Sequence, residues 1–217
     1  MKRFWTEVTI GADRLIALDG RPVRTPGRVP LALPTDALAD VVADEWRAVG
    51  EALDPRAMPL TGLANAAIDR IAPDPAAFDA GLAAYGESDL LYYRAADPPE
   101  LVARQEAAWD PLLAWARGRY DVHFETATGI VHRPQPPATV ARLAEAIAAL
   151  DPFRLAGLSP VVTITGSLIA ALALLEGGAE AETVWQAELW GRDPLAEQAR
   201  DGRRREYDAA VRFLAAL

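Results

Sequence analysis

A chain of 217 residues is long enough to bury a substantial core, as one large domain or two smaller ones. Hydrophobic residues make up 51% and charged residues 24%, the mix of an ordinary globular protein, and a net charge of -9 argues against a nucleic-acid binder, which needs a clustered basic face. The absence of cysteine excludes disulfides, thiolate metal sites and cysteine nucleophiles.

The N-terminal "MKRFWTEVTI" lacks the apolar core of a secretory signal, and no organelle-targeting segment is visible. "FWTEVTI" and "RLIALDG" pair Val8 with Ile10 and Leu15 with Ala17 at a two-residue period, the pattern of half-buried strands. Leu18–Pro26, "LDGRPVRTP", is either a loop that grips phosphate or one that reverses the chain. A phosphate cradle needs several glycines whose amides converge at a helix N-terminus. Here Gly20 stands alone, Pro22 and Pro26 remove amides, and no Gly-Lys-Ser/Thr follows. Asp19-Gly20 is a tight-turn pair, and Pro22 suits a strand start or edge. The stretch therefore reads as a β-hairpin that exposes Arg21 and Arg24. "VPLALPT" reads as a further strand stopped by Pro34.

Helical patterns follow. Thr35 or Asp36 is a cap for a helix with Leu38, Val41, Val42, Trp46 and Val49 at helical spacing. "MPLTGLANAAIDRIAP" continues the signal up to Pro73, and Phe78, Leu82 and Tyr85 share a face in the next stretch. Leu101, Gln105, Ala108, Leu112 and Trp115 form another stripe. "VHFETATGIVHRPQP" breaks the pattern and reads as extended, with a hairpin through Thr128-Gly129. Helices over Pro137–Leu150 and Ser159–Glu176 and a charged helical tail complete the chain. "VVTITGSLIAALALL" (Val161–Leu175) is too short and too polar for a membrane span and reads as a buried helix. The predicted class is α+β: a β-rich N-terminal unit at residues 1–34 and a mainly helical domain at 35–217, with an extended segment near 121–134.

Catalytic patterns are weak. His123 and Glu125 in "HFE" have a spacing seen in zinc deaminases, whose cysteine pair is missing. His123, Glu125 and His132 leave a small metal-dependent hydrolase as the alternative reading, two imidazoles being a thin ligand set. Ser167 lacks the flanking glycines of a nucleophile elbow and reads as a helix start in the core. The carboxylate pairs Asp44-Glu45 and Glu180/Glu182 carry no mark of acid–base work, and the basic run Gly202–Glu206 reads as a solvated helix face. Tryptophan dominates both cores and interface hot spots. Trp109 and Trp115 read as core, whereas for Trp185 and Trp190, flanking Glu188, both readings stand open.

The ordered series "KRFW", "LDGRPVRTP", "LALPT", "ADEW", "MPLTGLANAAID", "SDLLYYRA", "LVARQEAAWDPLLAW", "GSLIAALALLEG", "WQAELWG" and "RFL" resembles the assembly chaperones of the F-type ATP synthase that bind the free alpha subunit, the ATP synthase assembly factor 2 family. The resemblance spans nearly the whole chain. It implies a non-enzymatic protein with no cofactor, metal, small-molecule substrate or nucleic acid, which binds the unassembled alpha subunit and keeps it from aggregating before the beta subunit joins. It also implies a β-rich domain followed by a helical one, and a location in the cytoplasm of a bacterium (alphaproteobacterial relatives) or the matrix of a mitochondrion. The family's functional glutamate falls on Glu188 by its place in "WQAELWG", or on Glu182, although the acidic segment before that motif is shorter here. Trp185, Trp190, Arg21 and Arg24 complete the partner-binding set that the resemblance suggests.

Overall fold

The structure is a computed structural model; it describes residues 2–189 and 200–217, with the backbone alone at 188 and 189. Strands come first and helices follow, the predicted α+β order. β1 (Val8–Ile10), β2 (Ile16–Leu18) and β3 (Arg21–Pro22) form an antiparallel sheet in the order β1-β2-β3, with Val8 opposite Leu18 and Leu18 opposite Arg21. Asp19 and Gly20 make the turn at φ of 47° and 76°, the handedness that a two-residue hairpin needs. "LDGRPVRTP" is thus a hairpin, as expected. β2, in contrast, is not half-buried: Ile16, Ala17 and Leu18 are all buried. Successive side chains point to opposite faces, so this middle strand is covered on both. Residues 29–33 form no strand of their own and touch the sheet only through isolated bridges from Ala32 to Leu15 and from Pro30 to Arg24. Pro30 and Pro34 withhold the amides that a regular ladder uses.

Thr35 caps α1 (Asp36–Ala48): its hydroxyl accepts from Leu38 N at 3.1 Å and donates to Ala216 O at 2.5 Å. α1 packs against β1 through a buried stripe of Leu38, Ala39, Val42 and Ala43. α2 (Pro59–Ala66) runs on as a π-helical turn, Ala67–Ile71, and stops before Pro73 as predicted. Its first turn is capped from outside. Glu45 of α1 accepts from Leu60 N, Thr61 N and Thr61 Oγ1, each at 2.8 Å. Burial raises the Glu45 pKa, and these donors at a helix N-terminus oppose that rise.

The chain divides into two compact units: Met1–Pro75 with Asp151–Gly157 and Asp208–Leu217, and Ala76–Leu150 with Leu158–Tyr207. In the first, Trp5, Ile16, Leu31, Leu33, Leu38, Val42, Leu60 and Phe213 share one hydrophobic core. Residue 34, where strands give way to helices, lies inside this unit. A sheet of two- and three-residue strands has too little face to bury alone, and α1 and α2 complete its core.

The second unit is mainly helical. α3 (Pro75–Ala83) ends earlier than the pattern suggested and gives way to 3-10 turns at Ala84–Gly86 and Leu90–Tyr92 and then β4 (Tyr93–Arg94). α4 (Pro99–Tyr120) buries Gln105, Trp109, Leu112, Leu113 and Ala116, and Pro111 sits on its exposed side. β5 (Ala127–Thr128) pairs parallel with β4. The predicted hairpin through Thr128-Gly129 is not formed, because Gly129 N donates instead to Arg94 O at 2.8 Å. α5 (Pro137–Ala148) and α6 (Pro152–Thr165) follow, and the division between units falls inside α6 and inside the last helix. The single helix expected over Ser159–Glu176 is broken at Gly166-Ser167, where Ser167 caps α7 (Leu168–Leu175) by accepting from Ala170 N at 3.0 Å. α8 (Ala181–Leu189) and α9 (Arg200–Ala215) close the chain.

Buried Asp89 pins that break. Its Oδ1 accepts from Leu91 N and its Oδ2 from Ile169 N, both at 3.0 Å, and Leu90 N donates to Gly166 O at 3.0 Å. One carboxylate therefore starts both a 3-10 turn and α7. Loss of water pushes its pKa up to about 6, against the donors that hold the anion.

Candidate functional site

The hairpin that carries Arg21 and Arg24 is exposed at both arginines, as predicted. The loop after it is tied down by Asp69, at the end of "LANAAID": Thr25 Oγ1 donates to Oδ1 at 2.6 Å and Gly27 N to Oδ2 at 2.7 Å. A Cβ at Gly27 would lie 2.6 Å from Asp69 Oδ1, so only glycine admits this approach. The question posed by "LDGRPVRTP" is answered by this carboxylate. The loop amide that would face an anion already holds one, covalently part of the chain.

The anchored loop forms one wall of a groove of about 340 Å³ in the first unit. Val23, Leu53, Met58 and Trp46 supply apolar surface, Arg24 and Asn65 supply polar groups, and Gly62 of α2 presents no side chain. Trp46 stacks at a tilt on Trp5, centroids 5.5 Å apart, and Trp5 meets Phe4 edge-on at 5.1 Å. The Trp46 Nε1 is shielded from solvent and has no acceptor. Trp46 was legible as part of a helical stripe, but its place in a groove was not, because Val23 and Leu53 come from other segments.

α8 carries Glu182, Trp185 and Glu188. Glu182 is exposed; Gln186 Nε2 donates to its Oε1 at 2.6 Å and Arg204 Nη1 to its Oε2 at 2.8 Å. These bonds, Gln186 first, lower its pKa. Trp185 is only 2% exposed and belongs to the core. It packs 5.3 Å from Tyr207, whose hydroxyl donates to Ala181 O at 2.7 Å, and lies under the Arg204 guanidinium at 5.0 Å. Its part in any surface is to seat α8, because a side chain this covered offers a partner no area. Arg203 and Arg204, in the run expected to be a solvated face, are half-buried, Arg204 lying over Trp185. Trp190 and the Glu188 side chain lie outside the described residues.

The metal reading's residues are not brought together. His132 Nδ1 lies 3.2 Å from the Tyr93 hydroxyl and its Nε2 lies 3.5 Å from Glu87, whereas Glu125 pairs with Arg133 at 3.5 Å. His123 holds Thr139 through its backbone: Thr139 Oγ1 donates to His123 O at 2.6 Å. Among the described residues no three His, Asp or Glu are placed to share an ion, and no helix is long and apolar enough to cross a membrane. Ser167 is buried and spent on its cap.

Among the described residues four large apolar side chains stand exposed: Phe4 and Val29 in the first unit, and Ile130 (95%) and Val131 (78%) in the second. They lie in stretches the sequence reads as strands or extended chain, where a strand reading does not tell which apolar residues stay uncovered.

A model of the ATP12 chaperone protein family matches residues 2–117. The chain belongs to the ATP12 chaperone family. It is similar over 99% of its length to Atp12 from Paracoccus denitrificans, with 42% identity, 97% of that chain covered and a TM-score of 0.90. The same values hold for an aspartate-to-lysine mutant of P. denitrificans Atp12p. The Atu1473 protein of Agrobacterium tumefaciens, a candidate chaperone, is 40% identical over 99% of this chain and 85% of its own, with a TM-score of 0.89. The motif series quoted above anticipated this family, and the α+β architecture is that of its members. A chaperone role fits the site described here: exposed apolar side chains and an open groove are surfaces for covering another protein.

Proposed function

We propose that this protein is an assembly chaperone that binds the unassembled alpha subunit of the F-type ATP synthase and shields it from aggregation until the beta subunit takes its place. Family membership across the whole chain, at 42% identity to Atp12, is the observation that carries this reading. An orphaned ring subunit exposes apolar interface, and such patches drive association. Phe4, Val29, Ile130 and Val131 are suited to cover that interface, and the net charge of -9 keeps the carrier soluble while it does so. The role requires no catalysis. Glu182 and Glu188 on α8, with Arg21 and Arg24 on the hairpin, are the polar contacts we assign to the client, and Trp190 is an apolar one. The setting is a bacterial cytoplasm or a mitochondrial matrix, where the alpha subunit is made or delivered.

Co-expression with alpha subunit followed by size-exclusion chromatography tests the reading. A co-eluting complex, and suppression of alpha-subunit aggregation without ATP, are expected. Failure of both overturns it. Glu188→Lys is expected to weaken the complex while the thermal midpoint of the free chaperone stays put; unchanged affinity removes Glu188 from the contact set.

A further inference from the structure

Residues 125–135 of the second unit form a loop that is closed at its base and tied at two points beyond it. Buried Gln135 closes the base: its Oε1 accepts from Glu125 N at 3.0 Å, and its Nε2 donates to Glu125 O at 2.9 Å. The first tie is Gly129, whose N–H donates to Arg94 O at 2.8 Å. A φ of 87° turns the chain at this residue, a conformation that glycine adopts without strain. The second tie is His132, which meets the Tyr93 hydroxyl through Nδ1 at 3.2 Å and Glu87 through Nε2 at 3.5 Å. Between the ties stand only the two exposed apolar residues, Ile130 and Val131. The loop's own acid and base, Glu125 and Arg133, pair with each other at 3.5 Å. A lone exposed apolar side chain is ordinary on a protein surface. Two in succession, on a loop that polar bonds hold at its base and on either side of the pair, call for a different account. The ties oppose the collapse of the pair onto the protein and keep both side chains in water.

We propose that Ile130 and Val131 are a preformed anchor that enters a concave, uncharged apolar pocket of the client, and that His132 sets the anchor's posture. The proposal rests on the chaperone reading above and names the chemistry of the surface that the tip meets. Neither side chain carries a polar atom, so a charge in the pocket wall would lose water and gain no partner. A second copy of the chain does not suit the tip, because two tips meeting head to head would bury roughly 400 Å² in all, against about 1,200 Å² or more for a stable dimer. A partner that supplies a cavity covers both side chains fully. Holding them in place beforehand lowers the ordering cost of binding.

The test uses the full-length protein and purified alpha subunit, with affinity read by interferometry. The double variant Ile130→Ser, Val131→Ser is expected to weaken binding by about tenfold or more. Its thermal midpoint is expected to stay put, because both side chains are exposed. Val131→Lys and Val131→Glu are expected to lose affinity alike. If either one binds as wild type does, the pocket carries charge and the proposal is overturned. His132→Ala is expected to weaken binding by about threefold through a looser tip. His132→Gln, whose amide keeps an acceptor for Tyr93 and a donor for Glu87, is expected to restore it. Wild-type binding by His132→Ala overturns the tether. Self-association that the double serine variant abolishes would assign the tip to a second copy and also overturn the proposal. The two readings fail separately. If the double variant binds as tightly as wild type, the tip proposal fails and the chaperone reading stands. If wild type does not bind alpha subunit, the chaperone reading fails, and a methyl NMR titration with β-cyclodextrin, an uncharged ring with an apolar cavity, decides the tip. Saturable shifts at the Ile130 and Val131 methyls that His132→Ala weakens are then expected. Shifts that are absent, or the same in His132→Ala, overturn the proposal.

Discussion

The indole Nε1 of Trp109 donates to the carbonyl of Ala187 at 2.9 Å, joining the middle of α4 to α8. Trp109 is completely buried, and the helix it holds bears Glu182 and Glu188. Trp109→Phe deletes the donor and also leaves part of the indole's buried space unfilled. It is expected to cost about 1–2 kcal/mol in urea denaturation, with faster amide exchange along α8. Exchange unchanged in α8 would show that the helix is held by its other contacts.

Asp69 and Gly27 are expected to be coupled. Gly27→Ala places a methyl 2.6 Å from Asp69 Oδ1 and costs about 1–3 kcal/mol by displacing two hydrogen bonds. In an Asp69→Ala background the obstruction is gone, and the same change costs little. A double-mutant cycle in urea measures the difference, and simple additivity would disprove the contact.

Asp89 ties stability to pH. Burial pushes its folded-state pKa up to about 6, above the ordinary aspartate value of 3.8. Well below pH 3.8 the carboxyl is protonated in both folded and unfolded chains, and its favourable contribution is complete. Between pH 4 and 6 the unfolded chain ionises first, so stability falls as pH rises, by about 3 kcal/mol in total. Above pH 6 both states are charged and the fall stops. Asp89→Asn cannot titrate, so the difference in stability between wild type and variant is expected to follow this curve. A pH-independent difference would rule out a raised pKa.

Glu182 tests the surface of α8. Its pair with Arg204 is solvent-exposed, 58% at the glutamate and 37% at the arginine, and such pairs contribute about 0–1 kcal/mol. Glu182→Gln is expected to leave the thermal midpoint nearly unchanged and to weaken the complex with alpha subunit. Equal affinity at equal stability would place the client elsewhere.

Much of the fold was legible because its signals are local. Asp19-Gly20 carries its own turn, Thr35 and Ser167 are caps that act within three residues, and the α4 stripe repeats along one helix. The misreadings occur where a distant segment intervenes. β2 is buried on both faces by its neighbours. β5 finds β4 instead of folding back at Gly129, and Asp89 breaks an apolar run that would otherwise suit one helix. Trp185 and Trp109 carry the same residue type in similar surroundings, and only their burial assigns both to the core.

By itself, the order of residues determined the family, the progression from strands to helices, the acidic balance and the exclusion of thiol chemistry. Propensity, caps and periodicity act over a few residues, and the family signature is written in their order. The tertiary structure alone decided that Asp69 anchors a loop 42 residues away, that Asp89 starts a helix 80 residues away, and that an apolar groove opens beside the anchored loop. Those pairings join segments that the chain brings together only on collapse, when each buried carboxylate must find donors or bear the cost of losing water.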